Sequence, residues 1–113
     1  MAHTVTFIPG DGIGPEVMYA MRRAVDATGV KILWEEQLLG ETAYEKVGDF
    51  VPAATIDSVL KNKVAIKGPC ATPKGTGFRS VNVALRKALD LYINLRPTRA
   101  LGLMPAFPDV DIV

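Results

Sequence analysis

The sequence predicts an α/β fold with a mixed, largely parallel β-sheet. Segments with strand-like alternation and segments with helix-like spacing follow one another four or five times along the 113 residues. A glycine-rich turn joins the first predicted strand to the first predicted helix, and 49% of the residues are apolar, which argues against disorder. Alternation of strands with helices is typical of domains built on a parallel sheet.

The first half of the chain supplies two strands around one amphipathic helix. The segment HTVTFI predicts a strand in which Val5 and Phe7 alternate with threonines. Beyond the turn PGDGIGPEV, a helix is indicated by an apolar stripe at helical spacing, namely Val17, Ala20, Met21, Ala24 and Val25. The segment VKILWEE then predicts a second strand, with Val30, Ile32 and Trp34 on one face.

Two helices and a short strand are predicted next. A short helix is indicated from Glu41 to Val47, and Pro52 begins another, whose apolar face holds Ile56, Val59 and Leu60. VAIK is a short apolar strand that ends at Lys67, followed by a Gly- and Pro-rich loop from Gly68.

The last predicted elements are a helix and two strands. Ser80 opens a helix that runs to about Leu89. YINLRP predicts a strand whose inward side chains are Leu91, Ile93 and Leu95, and PDVDIV begins another strand as the sequence stops. We therefore expect the chain to be part of a longer protein.

The glycine turn GDGIGPE has the spacing G-x-G-x-G, whereas a dinucleotide fingerprint has G-x-G-x-x-G. Asp11 in its middle would repel phosphate. The pattern favours a tight strand-to-helix turn near a binding cleft over direct phosphate binding.

Positive charge is concentrated in one third of the chain. The net charge is +1, yet residues 67 to 99 hold seven lysines and arginines against Asp90 alone. This distribution predicts a local anion site on an otherwise acidic body. A nucleic-acid interface is disfavoured, because Phe78 and Tyr92 are the only aromatic residues in this segment available to stack on bases.

Other classes of protein are disfavoured by simpler features. One cysteine, Cys70, cannot form a disulfide framework within the chain, and no apolar run is long enough to span a membrane. No signal-like segment precedes the first strand, so the expected location is the cytoplasm. Cys70 as a nucleophile is disfavoured, because His3 is the only histidine.

Four of the charged and polar residues are predicted to line one cleft. Asn82 and Arg86 share the helix side opposite an apolar face formed by Val81, Ala84, Leu85 and Ala88. Lys67 and Arg96 each end a predicted strand, where parallel sheets border their ligand crevice. Arginine forks with small donors suit a molecule that carries several carboxylates. The alternatives are that Ser80 is a plain N-cap and that Arg86 and Lys87 are solvated charges.

The blocks IPGDGIGPEV and KGPCATPKGTGFRSVNVALRKALDLYINLRP resemble the isocitrate and isopropylmalate dehydrogenase family of β-decarboxylating dehydrogenases. The resemblance covers nearly the whole chain and is most like the isocitrate enzymes. It implies the N-terminal part of a three-layer α/β fold, with residues 1–99 in the large domain and residues 100–113 at the start of the small domain.

The resemblance also implies a reaction: oxidative decarboxylation of isocitrate to 2-oxoglutarate, with NAD or NADP as hydride acceptor and Mg²⁺ or Mn²⁺ as the metal. It makes Arg86 and Arg96 substrate arginines, and Ser80 and Asn82 contacts of the substrate's extra carboxylate. Lys67 and Thr72 match residues near the nicotinamide. Ala71 departs from the pattern, because many isocitrate enzymes have a second threonine there.

Catalytic and metal-binding residues are expected beyond Val113, so the 113 residues alone should be inactive. The resemblance further implies a homodimer or higher oligomer that binds a small-molecule substrate but neither nucleic acid nor membrane. Homoisocitrate, isopropylmalate or tartrate as substrate is an alternative, as is a ligand-binding protein without turnover.

Overall fold

A computed structural model describes residues 2–71, 80–100 and 109–113. The strands in this part of the chain are β1 (His3–Ile8), β2 (Ile32–Glu36), β3 (Ala65–Lys67), β4 (Thr98–Arg99) and β5 (Asp111–Ile112). The helices are α1 (Gly14–Asp26), α2 (Glu41–Val47), α3 (Ala53–Asn62) and α4 (Val81–Ala88). No helix in these ranges is long and apolar enough to cross a bilayer.

The main sheet has three parallel strands in the order β2-β1-β3. His3–Phe7 pairs in register with Ile32–Glu36, and Thr6–Ile8 pairs with Ala65–Lys67. Strands β4 and β5 form a separate antiparallel pair, in which Thr98 faces Ile112. The predicted α/β fold with a mixed, largely parallel arrangement is confirmed. The domain boundary at residue 99 stays a prediction.

Strand β1 lies at the centre of the core. Phe7 and Ile8 are fully buried. The Phe7 ring packs against Tyr19 and Trp34, with ring centroids 5.5 Å away in both cases. On the other side, Ile8 contacts the buried cluster formed with Leu39, Val81 and Leu85. The central strand is therefore covered on both faces, by side chains from both halves of the chain, as is usual for a strand in a parallel sheet.

The predicted apolar stripe of α1 is confirmed only in part. Gly14 and Met18 are the buried residues of this helix, whereas Val17 is 50% exposed and Ala20 and Ala24 are also exposed. Met21 and Val25 of the predicted stripe are half-buried, so the inward side overlaps the predicted one but includes Gly14 and Met18. Gly14 packs closely against the backbone of Pro9 where the turn closes. This close approach fixes the rotation of the helix on the sheet.

Helix α3 packs a partly polar side against the sheet, whereas an apolar side was predicted. Its buried residues are Thr55 and Ser58, and Leu60, predicted to be inward, is 45% exposed. The Ser58 hydroxyl lies 2.8 Å from that of Thr6, which also accepts a hydrogen bond from Asn62 at 2.9 Å. Because these groups satisfy one another, their burial between α3 and β1 costs little.

The strand predicted over YINLRP is not present. Residues 91–97 lack regular structure, and Leu91, Ile93 and Leu95 are 58%, 65% and 72% exposed. The neighbouring edge strand β3 has only three residues, so it offers few backbone groups with which a further strand could pair. The short final strand predicted in PDVDIV is confirmed as β5.

Candidate functional site

The carboxyl end of β3 and one side of α4 border a cavity of about 600 Å³. Its polar lining comes from Lys63, Lys67, Asn82 and Arg86. Its apolar lining includes Ile8, Val59, Leu85, Leu89 and Leu91. A strand end therefore meets a basic helix face here, as ligand crevices of parallel sheets do.

Lys67 is the last residue of β3 and is partly buried. Its amine donates a hydrogen bond to the carbonyl of Gly68 and lies 3.6 Å from the sulfur of Cys70. These contacts fold the following loop back over the lysine. The positive charge is thus held at the start of the loop that leads to Thr72.

Asn82 and Arg86 come from successive turns of α4. The prediction that they share one side of the helix is confirmed by their common place in the cavity lining. The prediction that this side stands opposite the apolar face is wrong, because the core residue Leu85 borders the same cavity. Ala88, predicted to belong to the apolar face, is exposed. The residues Val81 and Leu85 anchor the helix, because both are buried.

Neither polar group on α4 is engaged within the described residues. The side-chain oxygen of Asn82 is buried and has no hydrogen-bond partner there. In the same ranges, no carboxylate lies within salt-bridge distance of Arg86. A buried acceptor without a partner destabilises the protein, and a ligand hydroxyl could donate a hydrogen bond to it. The guanidinium of Arg86 could bind a ligand carboxylate.

Two of the predicted substrate residues are not brought to this cavity. Ser80 is the N-cap residue of α4, but its side chain makes no capping hydrogen bond and does not border the cavity. Arg96 is exposed in the segment after α4 and is also absent from the lining. Their substrate contacts stay predictions. Thr72, predicted to lie near the nicotinamide, falls outside the described residues.

Cys70 is half-buried beside Lys67. Burial raises the pKa of its thiol, the nearby charge of Lys67 opposes this shift, and Asp11 adds to it. A thiol with a raised pKa is a poor nucleophile at neutral pH. This agrees with the sequence-based argument that disfavours Cys70 as a nucleophile.

Sequence reasoning missed the role of Lys63. This residue ends α3 with a φ of 62°, in the left-handed region that favours glycine, and it borders the cavity. Its charge adds to those of Lys67 and Arg86. The only signal in the sequence was a lysine just beyond the last helical turn, and that is too common to identify a site.

No group of three or more His, Cys, Asp or Glu side chains that could hold a metal ion occurs within residues 2–71, 80–100 and 109–113. The divalent metal that the resemblance implies therefore has no candidate set of ligands among these residues.

Comparisons with known proteins point to one family. A family model described as isocitrate/isopropylmalate dehydrogenase matches residues 4–108. The chain is 45% identical over 109 residues to an isocitrate dehydrogenase [NAD] catalytic subunit of Arabidopsis thaliana, covering 96% of this chain and 29% of that protein. It is 42% identical over 120 residues to an isocitrate dehydrogenase [NADP] of Staphylococcus epidermidis, covering 96% and 28%.

The fold comparison is equally close. The crystal structure of isocitrate dehydrogenase from Methylococcus capsulatus superposes with a TM-score of 0.89 and 49% identity, over 97% of this chain and 33% of that one. The chain thus spans about 30% of the length of the curated relatives it matches. With the family match over nearly its whole length, the chain belongs to the isocitrate/isopropylmalate dehydrogenase family.

Proposed function

We propose that this chain supplies part of the substrate and nicotinamide site of an enzyme that oxidatively decarboxylates isocitrate to 2-oxoglutarate. The hydride acceptor is NAD or NADP, since relatives named for each cofactor match the chain about equally well. The divalent ion, Mg²⁺ or Mn²⁺, is held by residues outside those described. The whole protein works as a homodimer or higher oligomer.

The observation that carries this proposal is the convergence of Lys67, Asn82 and Arg86 on one cavity. Arg86 presents a planar fork that can bind a carboxylate through two parallel hydrogen bonds. The Asn82 amide both donates and accepts, so it can contact a carboxylate and a hydroxyl together. Lys67 adds positive charge beside the loop that leads to Thr72.

The choice of isocitrate over isopropylmalate rests on the polar character of this cavity wall. An isopropyl group offers no acceptor to the amide N–H groups of Asn82 or to the exposed guanidinium of Arg86. A third carboxylate supplies acceptors for both. The apolar wall formed by residues such as Leu85 and Leu89 would contact the carbon skeleton in either case. Ser80 and Arg96 stay predicted substrate contacts, although neither borders the cavity in the described structure.

Arg86→Gln in the full-length protein tests the proposal. Loss of a charge-assisted pair costs about 1.5–3 kcal/mol, so the KM for isocitrate should rise roughly 10- to 150-fold. Lys87→Gln is the matched control, because it removes one charge from the next position of the same helix, which is exposed and does not border the cavity. Its KM should stay within twofold of the unmodified protein.

Reduction of NAD and of NADP would be followed with isocitrate, homoisocitrate, isopropylmalate and tartrate. A preference for isocitrate that weakens in Arg86→Gln supports the proposal. A preference for isopropylmalate would contradict the role given to Asn82. Equal effects of the two substitutions would contradict the role given to Arg86. Tight binding of isocitrate without cofactor reduction would favour a ligand-binding protein.

A further inference from the structure

The cavity beside α4 runs along the outer edge of β3. Three of its lining residues, Lys63, Ala65 and Lys67, are alternate residues along this strand and the turn before it. At about 3.3 Å per residue, the distance from Lys63 to Lys67 is up to about 13 Å. Isocitrate has only six carbon atoms, so it is too small to fill a cavity of this length. There is therefore room for a second occupant beside the proposed substrate groups, Asn82 and Arg86.

The outer edge of β3 carries backbone groups that pair with no other strand in the described part of the chain, because β3 is the last strand in the order β2-β1-β3. On the inner edge, the carbonyl of Val64 and the N–H of Gly68 form hydrogen bonds with β1, at 3.0 and 2.8 Å. The backbone groups of neighbouring residues point to opposite sides of a strand. Those of Ala65 and Lys67 therefore point away from β1, towards the cavity.

Apolar side chains from α3 and from the end of α4 border the same cavity. They include Val59, Leu89 and Leu91, and 58% of the Leu91 side chain is exposed. The N–H of Leu91 donates to the carbonyl of Arg86 at 3.1 Å, which holds Leu91 at the end of α4. A groove with unpaired strand groups on one side and apolar side chains on the other has the features that bind an extended apolar segment as an added strand.

We propose that this cavity receives a β-strand from the part of the full-length polypeptide outside these 113 residues. The backbone of the added strand pairs with Ala65 and Lys67, and its apolar side chains cover Val59 and Leu91. Because this chain spans about 30% of the length of its curated relatives, most of the whole polypeptide is available to supply the strand. The segment after Leu91 is not the occupant, since residues 92–97 do not border the cavity. The strand pairs in this way whichever 2-hydroxy acid the enzyme takes.

Hydrogen–deuterium exchange of the full-length protein tests the pairing at single amides. Ile66 directs its N–H towards β1 and is the internal reference, whereas Ala65 directs its N–H towards the proposed strand. We expect the Ala65 amide to exchange within about tenfold of the rate of the Ile66 amide, because both are hydrogen-bonded inside a sheet. An Ala65 amide that exchanges more than about tenfold faster than that of Ile66 would show an open edge and would overturn the proposal.

Lysine substitutions at two equally exposed positions test whether the apolar wall is covered. Leu91 and Val47 are both 58% exposed in the described structure and lie near helix ends, but Val47 does not border the cavity. In the full-length protein, Leu91→Lys places a charge under the added strand, so the melting temperature should fall by at least about 5 °C. Val47→Lys should change it by less than about 2 °C. Equal changes in the two variants would contradict the proposal.

A photo-reactive benzophenone amino acid at position 63 identifies the occupant, since Lys63 is exposed and borders the cavity. Light should link it to a peptide outside residues 1–113 of the same polypeptide. A link to residues 92–97, to a second, isotope-labelled copy, or to no peptide would overturn the proposal. If Leu91→Lys does not fold, the exchange and the link decide. A full-length protein that reduces neither NAD nor NADP with isocitrate, but gives the expected exchange and link, would reject the proposed function alone.

Discussion

Replacing Thr6 with valine should destabilise the protein through hydrogen bonding alone. Thr6 is fully buried in β1, and valine has nearly the same shape, so no cavity forms. The hydroxyl contacts Ser58 at 2.8 Å and Asn62 at 2.9 Å. Two hydrogen bonds at a net ~0.5–1.5 kcal/mol each give an expected loss of about 2 kcal/mol, since the Ser58 hydroxyl and the Asn62 amide both lose their contact with Thr6. Urea unfolding measures the loss.

A control variant and a second substitution test whether the loss of stability comes from the hydrogen bonds of Thr6. Thr4→Val changes the same group on the same strand at an exposed position, and should shift stability by less than about 0.5 kcal/mol. Ser58→Ala should lower the stability of unmodified protein by about 1 kcal/mol, yet have almost no effect when added to Thr6→Val. Equal costs for Thr6→Val and Thr4→Val, or additive costs for Thr6→Val and Ser58→Ala, would refute the network.

Two other substitutions test the turn and the surface. Gly68→Ala would place a Cβ atom against the carbonyl of Pro9, so the protein should lose about 1–3 kcal/mol in thermal unfolding; an unchanged melting temperature would show that the backbones are not closely packed. Lys61 holds the pKa of Glu35 at about 2 from a usual 4.5, mainly by its hydrogen bond. Because the folded pKa is lowered, the stabilisation is present above pH 4.5 and is lost as the pH falls towards 2. Lys61→Ala should therefore raise the pKa of Glu35 measured by NMR titration, whereas Lys31→Ala should leave it low.

The order of elements could be predicted because local patterns determine it. Alternation in HTVTFI, the proline before α3 and the serine before α4 identified β1 and two helix starts within a residue or so. The buried sides of α1 and α3 could not be predicted, since they depend on contacts between distant segments. The close approach of Gly14 to the Pro9 backbone sets the rotation of α1. The hydroxyl of Thr6 pairs with that of Ser58, so α3 can bury a polar side against the sheet.

The candidate site was likewise predictable only in part. Arg86 and Asn82 could be paired from their four-residue spacing, and Lys67 could be added because it ends a strand. Arg96 was grouped with them on the assumption that residues 91–95 form a strand, which they do not. The hydrogen bonds of Asp11 could not be predicted from its turn, because their N–H donors, Glu41 and Ala71, lie 30 and 60 residues further along the chain.

Asp11 in the turn after β1 forms hydrogen bonds with the backbone of Glu41, Pro69 and Ala71, and these contacts bear on the order of folding. Its partners Glu41 and Ala71 lie far along the chain, so both intervening loops must close before the carboxylate can be buried with its hydrogen bonds made. Long-range contacts of this kind form slowly compared with local helices. We therefore expect α1 and α3 to form before the segment that ends at Ala71 is anchored at Asp11.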